Sequence, residues 1–201
     1  MGKKQKRRTV GPPGPEHFAA LATGKVIAVR RIDTIARVMD TAIWLWFFEK
    51  DPLCVHLLTL AAYQCLDDLG KKSGKGPRLK SSLDAQQFTT AYDFLRHASS
   101  SPNAGILFAP SVNGPILFDS VAAFNRIFGN LTMYMRSFWA YFILHPEPPI
   151  PKSREKLLQH PDLFLPKAVT IKDAMKLGRL EFFAELTEMF AVQYGSKADR
   201  E

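Results

Sequence analysis

Cysteine is scarce in this sequence, with only Cys54 and Cys65 among 201 residues. Both fall in one predicted helix, eleven positions apart. That spacing places them about 16 Å apart along the helix axis, which is too far for a disulfide between them. We expect two buried, reduced thiols, as is typical of a cytoplasmic protein. A chain of this length can bury a sizeable core without disulfides or structural metal, and we predict no metal and no cofactor.

Long hydrophobic runs are lacking as well. The most apolar stretch, residues 41–48, is far shorter than the roughly 20 residues that a transmembrane helix needs. The basic residues near the start are followed by the Gly- and Pro-rich residues 11–15, whereas a secretory signal would continue with an apolar segment. We therefore expect neither a membrane partner nor secretion.

Negative charge is in deficit: 27 Lys and Arg against 19 Asp and Glu give a formal net charge of +8. Five of the positive charges form one run near the start of the chain, namely Lys3, Lys4, Lys6, Arg7 and Arg8. Pro and Gly oppose helix formation there, so residues 1–15 are predicted to be a disordered basic tail. Such a tail either keeps the protein in solution or attracts nucleic-acid phosphates in a salt-sensitive way.

The hydrophobic pattern predicts an all-α fold with no strand and no internal repeat. Apolar residues recur at three- and four-residue steps, which is typical of helices in a bundle. The predicted helices cover, in order, residues 26–50, 52–69, 83–98, 115–128, 131–144 and 170–194. We predict a helical bundle of five to six helices: a bundle core at 16–145, a Pro-rich connector at 146–170, and a C-terminal helix at 171–195. This last helix is expected to pack back on the core through Phe182, Leu186, Met189 and Phe190.

Residues with strong capping preferences mark several helix ends. Asp51 followed by Pro52 is typical of an N-cap and first helical position. Thr170 with Asp173 resembles a capping box. Gly129 and Gly195 are predicted to end their helices in the left-handed conformation.

Polar residues on two central helices are the best candidates for chemistry. His56, Thr59, Tyr63 and Asp67 share one face of the second predicted helix, because their spacings return to nearly the same angle. On the next helix Asp93 precedes His97 by one turn, with Arg96 adjacent. Two imidazoles, a carboxylate and a guanidinium in one cleft would be able to bind or act on a phosphate. The alternatives are that these residues lie on ordinary solvent-exposed faces, or that His56 is a hydrogen-bonded core histidine.

Three further patterns carry less weight. The glycines and lysines of residues 70–76 lack the full phosphate-loop spacing and follow a helix, so they indicate a helix-to-helix loop. Glu181, Glu185 and Glu188 lack the His that carboxylate metal sites in bundles contain, and so predict a solvated face. Arg154 and His160 have the Arg-x5-His spacing of HEPN-type domains, although they lie in the Pro-rich connector.

The segment 51–63, DPLCVHLLTLAAY, is similar to part of a family of small uncharacterised bacterial all-helical proteins. Residues 93–98, DFLRHA, resemble a second segment of that family, and the resemblance extends over roughly residues 40–147. It implies a helical, bacterial, cytoplasmic protein in which His56 and His97 are of interest. The family has acidic residues where this chain has Ser99, Ser100 and Ser101 before Pro102. There is also a fold-level likeness to HEPN-type bundles.

Two functional hypotheses follow. The first is a non-enzymatic helical binding or regulatory domain, which acts through protein contacts, homodimerisation included, or through nucleic acid bound by its basic tail. The second is a HEPN-like ribonuclease or other phosphate-directed enzyme, with His56, His97, Asp93 and Arg96 as its catalytic residues. The first is preferred because no complete catalytic set is recognisable.

Overall fold

The structure is a computed structural model that describes residues 30–79, 94, 105–146 and 154–198. Seven α-helices make up most of these residues. They are α1 (Arg31–Phe47), α2 (Pro52–Gly70), α3 (Asn113–Phe128), α4 (Met133–Leu144), α5 (Arg154–Leu158), α6 (Ile171–Ala174) and α7 (Arg179–Ala198). No strand occurs within these residues. The predicted all-α fold is therefore confirmed. The predicted helix at 83–98 and the tail at 1–15 lie outside the described residues, apart from the helical Phe94.

The predicted signals at the start of α2 and the end of α3 are confirmed. The Asp51 carboxylate accepts hydrogen bonds from the backbone N–H groups of Leu53 (2.8 Å) and Cys54 (3.3 Å), and Pro52 takes the first helical position. Gly129 ends α3 with φ of 74°. From this start α2 packs along both α1 and α3.

A core of large rings joins α1, α3, α4 and α7. On the apolar stripe predicted for the first helix, Ile32 is half-buried and the other members are buried, namely Ile35, Met39, Ala42, Ile43 and Trp46. Phe47, next to this stripe, stacks on Phe183 of α7 with ring centroids 4.3 Å apart. A second buried cluster, built from α4, α7 and the segment around Phe164, adjoins the first through partly buried aromatic residues such as Phe118 and Trp139.

The predicted single C-terminal helix is wrong in two respects. The capping residue Thr170 accepts a hydrogen bond from the backbone N–H of Asp173 (3.2 Å) as expected, but α6 ends after four residues and the chain restarts as α7 at Arg179. Gly195 does not stop α7, which continues to Ala198. A glycine permits the left-handed turn that ends a helix but does not impose it.

Two burial predictions are also wrong. Cys54 and Cys65 are exposed on α2, because α2 buries only the side that meets α1 and α3. Met189, expected to pack on the bundle with Phe182, Leu186 and Phe190, is 37% exposed. In its place Phe183, one residue after Phe182, is completely buried.

Candidate functional site

His56 lies completely buried on α2, between Asn113 of α3 and the ring of Phe108. Its Nδ1 is 2.8 Å from Asn113 Oδ1, and the imidazole meets the Phe108 ring edge-on at a centroid distance of 5.0 Å. The Asn113 amide donates from Nδ2 to the carbonyl of Pro52 (2.8 Å). Because a carbonyl can only accept, this bond orients the amide with Oδ1 toward His56. His56 Nδ1 must then carry the proton and donate it.

The polar stripe that the sequence places on this helix faces the protein interior. Thr59 and Tyr63 are buried with His56, and the Thr59 hydroxyl donates to the carbonyl of Val55 (2.7 Å). Asp67, at the end of the stripe, is only half-buried. In this arrangement a phosphodiester in solvent does not reach the His56 imidazole, and the residue has the environment of a hydrogen-bonded core histidine.

The other predicted site residues lie outside the described residues. Asp93, Arg96 and His97, like the tail residues Lys3, Lys4, Lys6, Arg7 and Arg8, fall in ranges for which no positions are described. The shared His56–His97 site therefore stays a prediction.

Arg154 and His160, the Arg-x5-His pair, are both described. Arg154 Nε donates to the carbonyl of Ile143 (2.7 Å) near the end of α4, while His160 is exposed. Arg154 thus binds a terminal helix carbonyl, which is a structural role that basic residues often have.

The loop after α2 has a defined, closed conformation. A 3₁₀ turn at Lys71–Ser73 extends α2, and Gly74 ends it with φ of 65°. The backbone N–H of Lys75 donates back to the carbonyl of Gly70 (3.2 Å), the six-to-one bond of a Schellman motif. The chain then returns so closely that a Cβ on Gly70 would overlap the backbone N and Cα of Gly76. Position 70 therefore needs glycine, whereas a Cβ on Gly76 would make only ordinary contacts at 3.6 Å.

Two side chains of α3 form hydrogen bonds with the backbone of this loop. Arg126 donates from Nε to the carbonyl of Lys75 (3.1 Å) and from Nη2 to that of Gly76 (2.8 Å). Asp119 Oδ2 accepts from the backbone N–H groups of Arg78 and Leu79, both at 2.6 Å. Arg126 and Asp119 also form an ion pair at 3.7 Å. Burial, followed by repulsion from Arg78, lowers the pKa of Arg126 despite that carboxylate.

The result is a rigid backbone that carries exposed cations. We call residues 71–78 the basic loop; its charged side chains are Lys71, Lys72, Lys75 and Arg78, and all four are exposed. Lys71 pairs with Asp68 at 2.7 Å and with Asp67 at 3.6 Å, and its hydrogen bond to Asp68 raises its pKa. Lys72 and Lys75 form no ion pair with the described residues. Sequence reasoning recognised the loop, but not the two α3 residues that fix it.

A second polar cluster lies where α1 turns into α2. The Arg179 guanidinium, from the first residue of α7, lies over the Trp46 ring with Cζ 3.7 Å from the centroid. Its Nη2 donates to the Trp46 carbonyl, and its Nη1 is 3.2 Å from Glu49 Oε1. We call this cluster the α1–α2 corner. No sequence signal marked it, since Arg179 is 130 residues from Glu49.

Glu49 adopts an unusual backbone conformation in this corner. It has φ of 50° and is the one non-glycine residue with positive φ among those described. The N–H groups of Glu49 and Lys50 donate to the carbonyls of Trp46 (3.3 Å) and Leu45 (3.0 Å), which makes the end of α1 a Schellman motif. Glycine is the usual residue at this position, and a side chain there costs about 1–2 kcal/mol.

A cavity of about 360 Å³ opens at the same corner. Its polar lining comes from Glu49, Lys50, Ser111, Asn113 and Arg179, and its apolar lining from Trp46, Pro52, Val55 and Pro110. Asn113 in this lining is hydrogen-bonded to the buried His56. His56 therefore supports one wall of this cavity.

The described ranges contain neither a metal-binding cluster nor a membrane-spanning helix. No group of three or more His, Cys, Asp or Glu in them is arranged to hold a metal ion. Glu181 and Glu188 are exposed and Glu185 is half-buried, in keeping with the expected solvated face. None of the helices in the described part of the chain combines the length and apolar character needed to cross a membrane.

Comparison with known proteins adds no relative to this picture. A scan against protein-family models, a search of curated proteins and a search of solved structures each found no match. The resemblance to a bacterial helical family and the HEPN-like likeness therefore stay predictions.

Proposed function

We propose that this protein is a non-enzymatic helical domain that binds the phosphate backbone of nucleic acid. The basic loop is the folded surface that makes the contact. The observation that carries the proposal is that Arg126 and Asp119 fix the backbone of a loop from which Lys72 and Lys75 project without ion-pair partners among the described residues. Since the loop is already ordered, little backbone entropy would be lost when it binds a ligand.

The charge balance of the chain supports a polyanionic ligand. The formal net charge is +8 and the sequence pI is about 9.6. Lysines on a glycine-rich loop contact phosphates but offer no rigid fork for reading a base edge. Binding is therefore expected to be largely independent of nucleotide sequence and strongly dependent on salt. The five basic residues of the tail supply a second contact to the same polymer.

The test is a salt titration of binding to a fluorescein-labelled DNA duplex, followed by fluorescence anisotropy. The loop variant is Lys72→Ala with Lys75→Ala, the tail variant lacks residues 1–15, and the control is Lys167→Ala with Lys172→Ala, which removes two other exposed lysines. Each phosphate contact contributes about 0.9 to the slope of log K against log salt. The loop variant should therefore reduce that slope by about two, and the control should leave it unchanged.

Other results of this titration would count against the proposal. If the loop variant binds like wild type while the tail deletion abolishes binding, the tail alone is the contact and the basic loop has another role. If wild type does not bind the duplex even at low salt, nucleic-acid binding is rejected. The hypothesis that the domain acts through contacts with another protein is then preferred.

A further inference from the structure

The α1–α2 corner holds its guanidinium in place without help from Glu49. The Arg179 guanidinium lies over the Trp46 ring and donates to the Trp46 carbonyl, two contacts that hold the group in place. Its side chain is 27% exposed, so its position is set within the fold. By contrast, the Glu49 carboxylate is 75% exposed and contacts Arg179 at 3.2 Å. Such an exposed partner adds little stability and is easily exchanged.

Glu49 has a left-handed backbone conformation that is unfavourable for a residue with a side chain. The residue occupies the left-handed position of a Schellman motif, where glycine would be the less strained choice. Strained backbone positions cluster at functional sites. Here the strained residue places a carboxylate on Arg179 at the edge of an open cavity.

The cavity next to this ion pair is suited to a small molecule. Its volume of about 360 Å³ lies in the lower part of the range for small-molecule sites, about 300–1,000 Å³. Lys50 and Arg179 give the lining two positive charges against the one negative charge of Glu49. Once Glu49 moves away, both cations face a ligand anion, while Ser111 and Asn113 supply neutral polar groups.

We propose that the α1–α2 corner binds a small apolar carboxylate, whose carboxylate replaces that of Glu49 on Arg179. The apolar part of the ligand lies against Pro52, Val55 and Pro110, which line the same cavity. A carboxylate is the matching class because it takes over the charge-assisted contact that Glu49 Oε1 already makes with Arg179 Nη1. Glu49 thus acts as an internal competitor that occupies the site until the ligand arrives.

Benzoate is the probe for this site, and benzamide is its neutral control of the same shape. The full chain is titrated at constant ionic strength, with saturation-transfer NMR on the ligand and amide shifts on the protein. Benzoate should bind saturably and shift residues 46–50, 110–113 and 179. Benzamide should bind at least tenfold more weakly, because it lacks the charge.

Two substitutions separate a ligand site from a structural ion pair. Glu49→Gln removes the competitor and should tighten benzoate binding about three- to tenfold. Arg179→Lys keeps the charge but loses the guanidinium that lies over Trp46 and presents Nη1 to the carboxylate, and should weaken binding at least tenfold. Circular dichroism checks that this variant is folded; if it is not, Glu49→Gln carries the test alone.

The proposal is overturned if wild type and Glu49→Gln both fail to bind benzoate. It is also overturned if Glu49→Gln binds no more tightly than wild type, or if folded Arg179→Lys binds equally well. In each of these cases Arg179 serves only to join α7 to the end of α1.

Discussion

Asp40 is a charged residue in an apolar setting on α1. It is almost fully buried, and its Oδ1 accepts a hydrogen bond from the Thr132 hydroxyl at 2.5 Å. The same hydroxyl oxygen accepts from the backbone N–H of Met135 (3.1 Å) and caps α4. Burial raises the pKa of Asp40 from its ordinary 3.8 to about 7, against the lowering effect of the Thr132 bond.

This pKa makes the stability of the fold depend on pH. Between about pH 4 and pH 7 the folded protein keeps a proton on Asp40 that the unfolded chain has lost, so the free energy of unfolding falls as pH rises. Asp40→Asn removes this titration. We expect the variant to gain stability relative to wild type as pH rises from 4 to 8, by about 1–3 kcal/mol at pH 8.

Urea unfolding at pH 4.5, 6 and 8 measures the difference. Asp33→Asn on the same helix is the control, because its exposed carboxylate has a pKa lowered by the hydrogen bond from Arg30. Any effect in that control should be small and of opposite sign. A constant difference between Asp40→Asn and wild type at all three pH values would contradict the assigned pKa.

The environment of His56 could not be predicted from the sequence around it. Its position on a polar stripe is equally consistent with a site facing solvent and with a core histidine. Asn113, which buries and orients it, is 57 positions away. No local pattern reports that contact, so the choice between the two environments depended on where α3 lies.

Helix ends illustrate the same division at the scale of an element. Gly74, Gly129 and Glu49 all adopt the left-handed conformation at the end of a helical segment, yet only Gly129 was predicted from the sequence to do so. Gly195, also predicted to stop a helix, lies inside α7. Glycine costs only about 1 kcal/mol in a helix interior, so the contacts around a helix end decide whether it stops there.

The closure of the basic loop allows a direct test with one methyl group. Gly70→Ala places a Cβ against the backbone of Gly76, where no flexible side chain can move aside. We expect a loss of about 1–3 kcal/mol from overpacking, although alanine is the better helix former. Nucleic-acid affinity should fall with it, because the loop backbone must shift.

Gly105→Ala is the matched control, since a Cβ there meets no atom within 4 Å. Its effect on the free energy of unfolding, measured by urea denaturation, should stay within about 0.5 kcal/mol. If Gly70→Ala instead stabilises the protein, as a simple gain in helix propensity would, the close approach of the two glycines does not constrain the loop.

At the scale of the whole molecule, α7 belongs to the bundle despite the long connector before it. Phe182, Phe183, Leu186 and Phe190 are buried, and α7 packs mainly on α4. The Ser137 and Thr187 hydroxyls share a hydrogen bond of 2.9 Å between these two helices. We therefore expect the two apolar clusters to unfold together, as the parts of one cooperative domain do.

Truncating the ring that joins α7 to α1 tests this cooperativity. Phe183→Ala removes the stack on Phe47 and leaves a cavity, so we expect a loss of about 3–5 kcal/mol. Tryptophan fluorescence and circular dichroism should give coincident urea transitions in wild type and variant. Met189→Ala, at an exposed position of the same helix, should cost less than about 1 kcal/mol. Two separate transitions would show that α7 unfolds independently.

The sequence by itself determined the all-helical class, the stripe on α1, the start of α2 and the end of α3. These features depend on interactions within a few residues, namely helical periodicity, side-chain caps and the conformational freedom of glycine. Tertiary structure decided the burial of His56, the break before α7, the anchoring of the basic loop and the pairing of Glu49 with Arg179. The contacts of His56, of the basic loop and of Glu49 with Arg179 join residues between about 40 and 130 positions apart. Such contacts arise only when helices pack, because packing alone selects which side chains meet and which are removed from water.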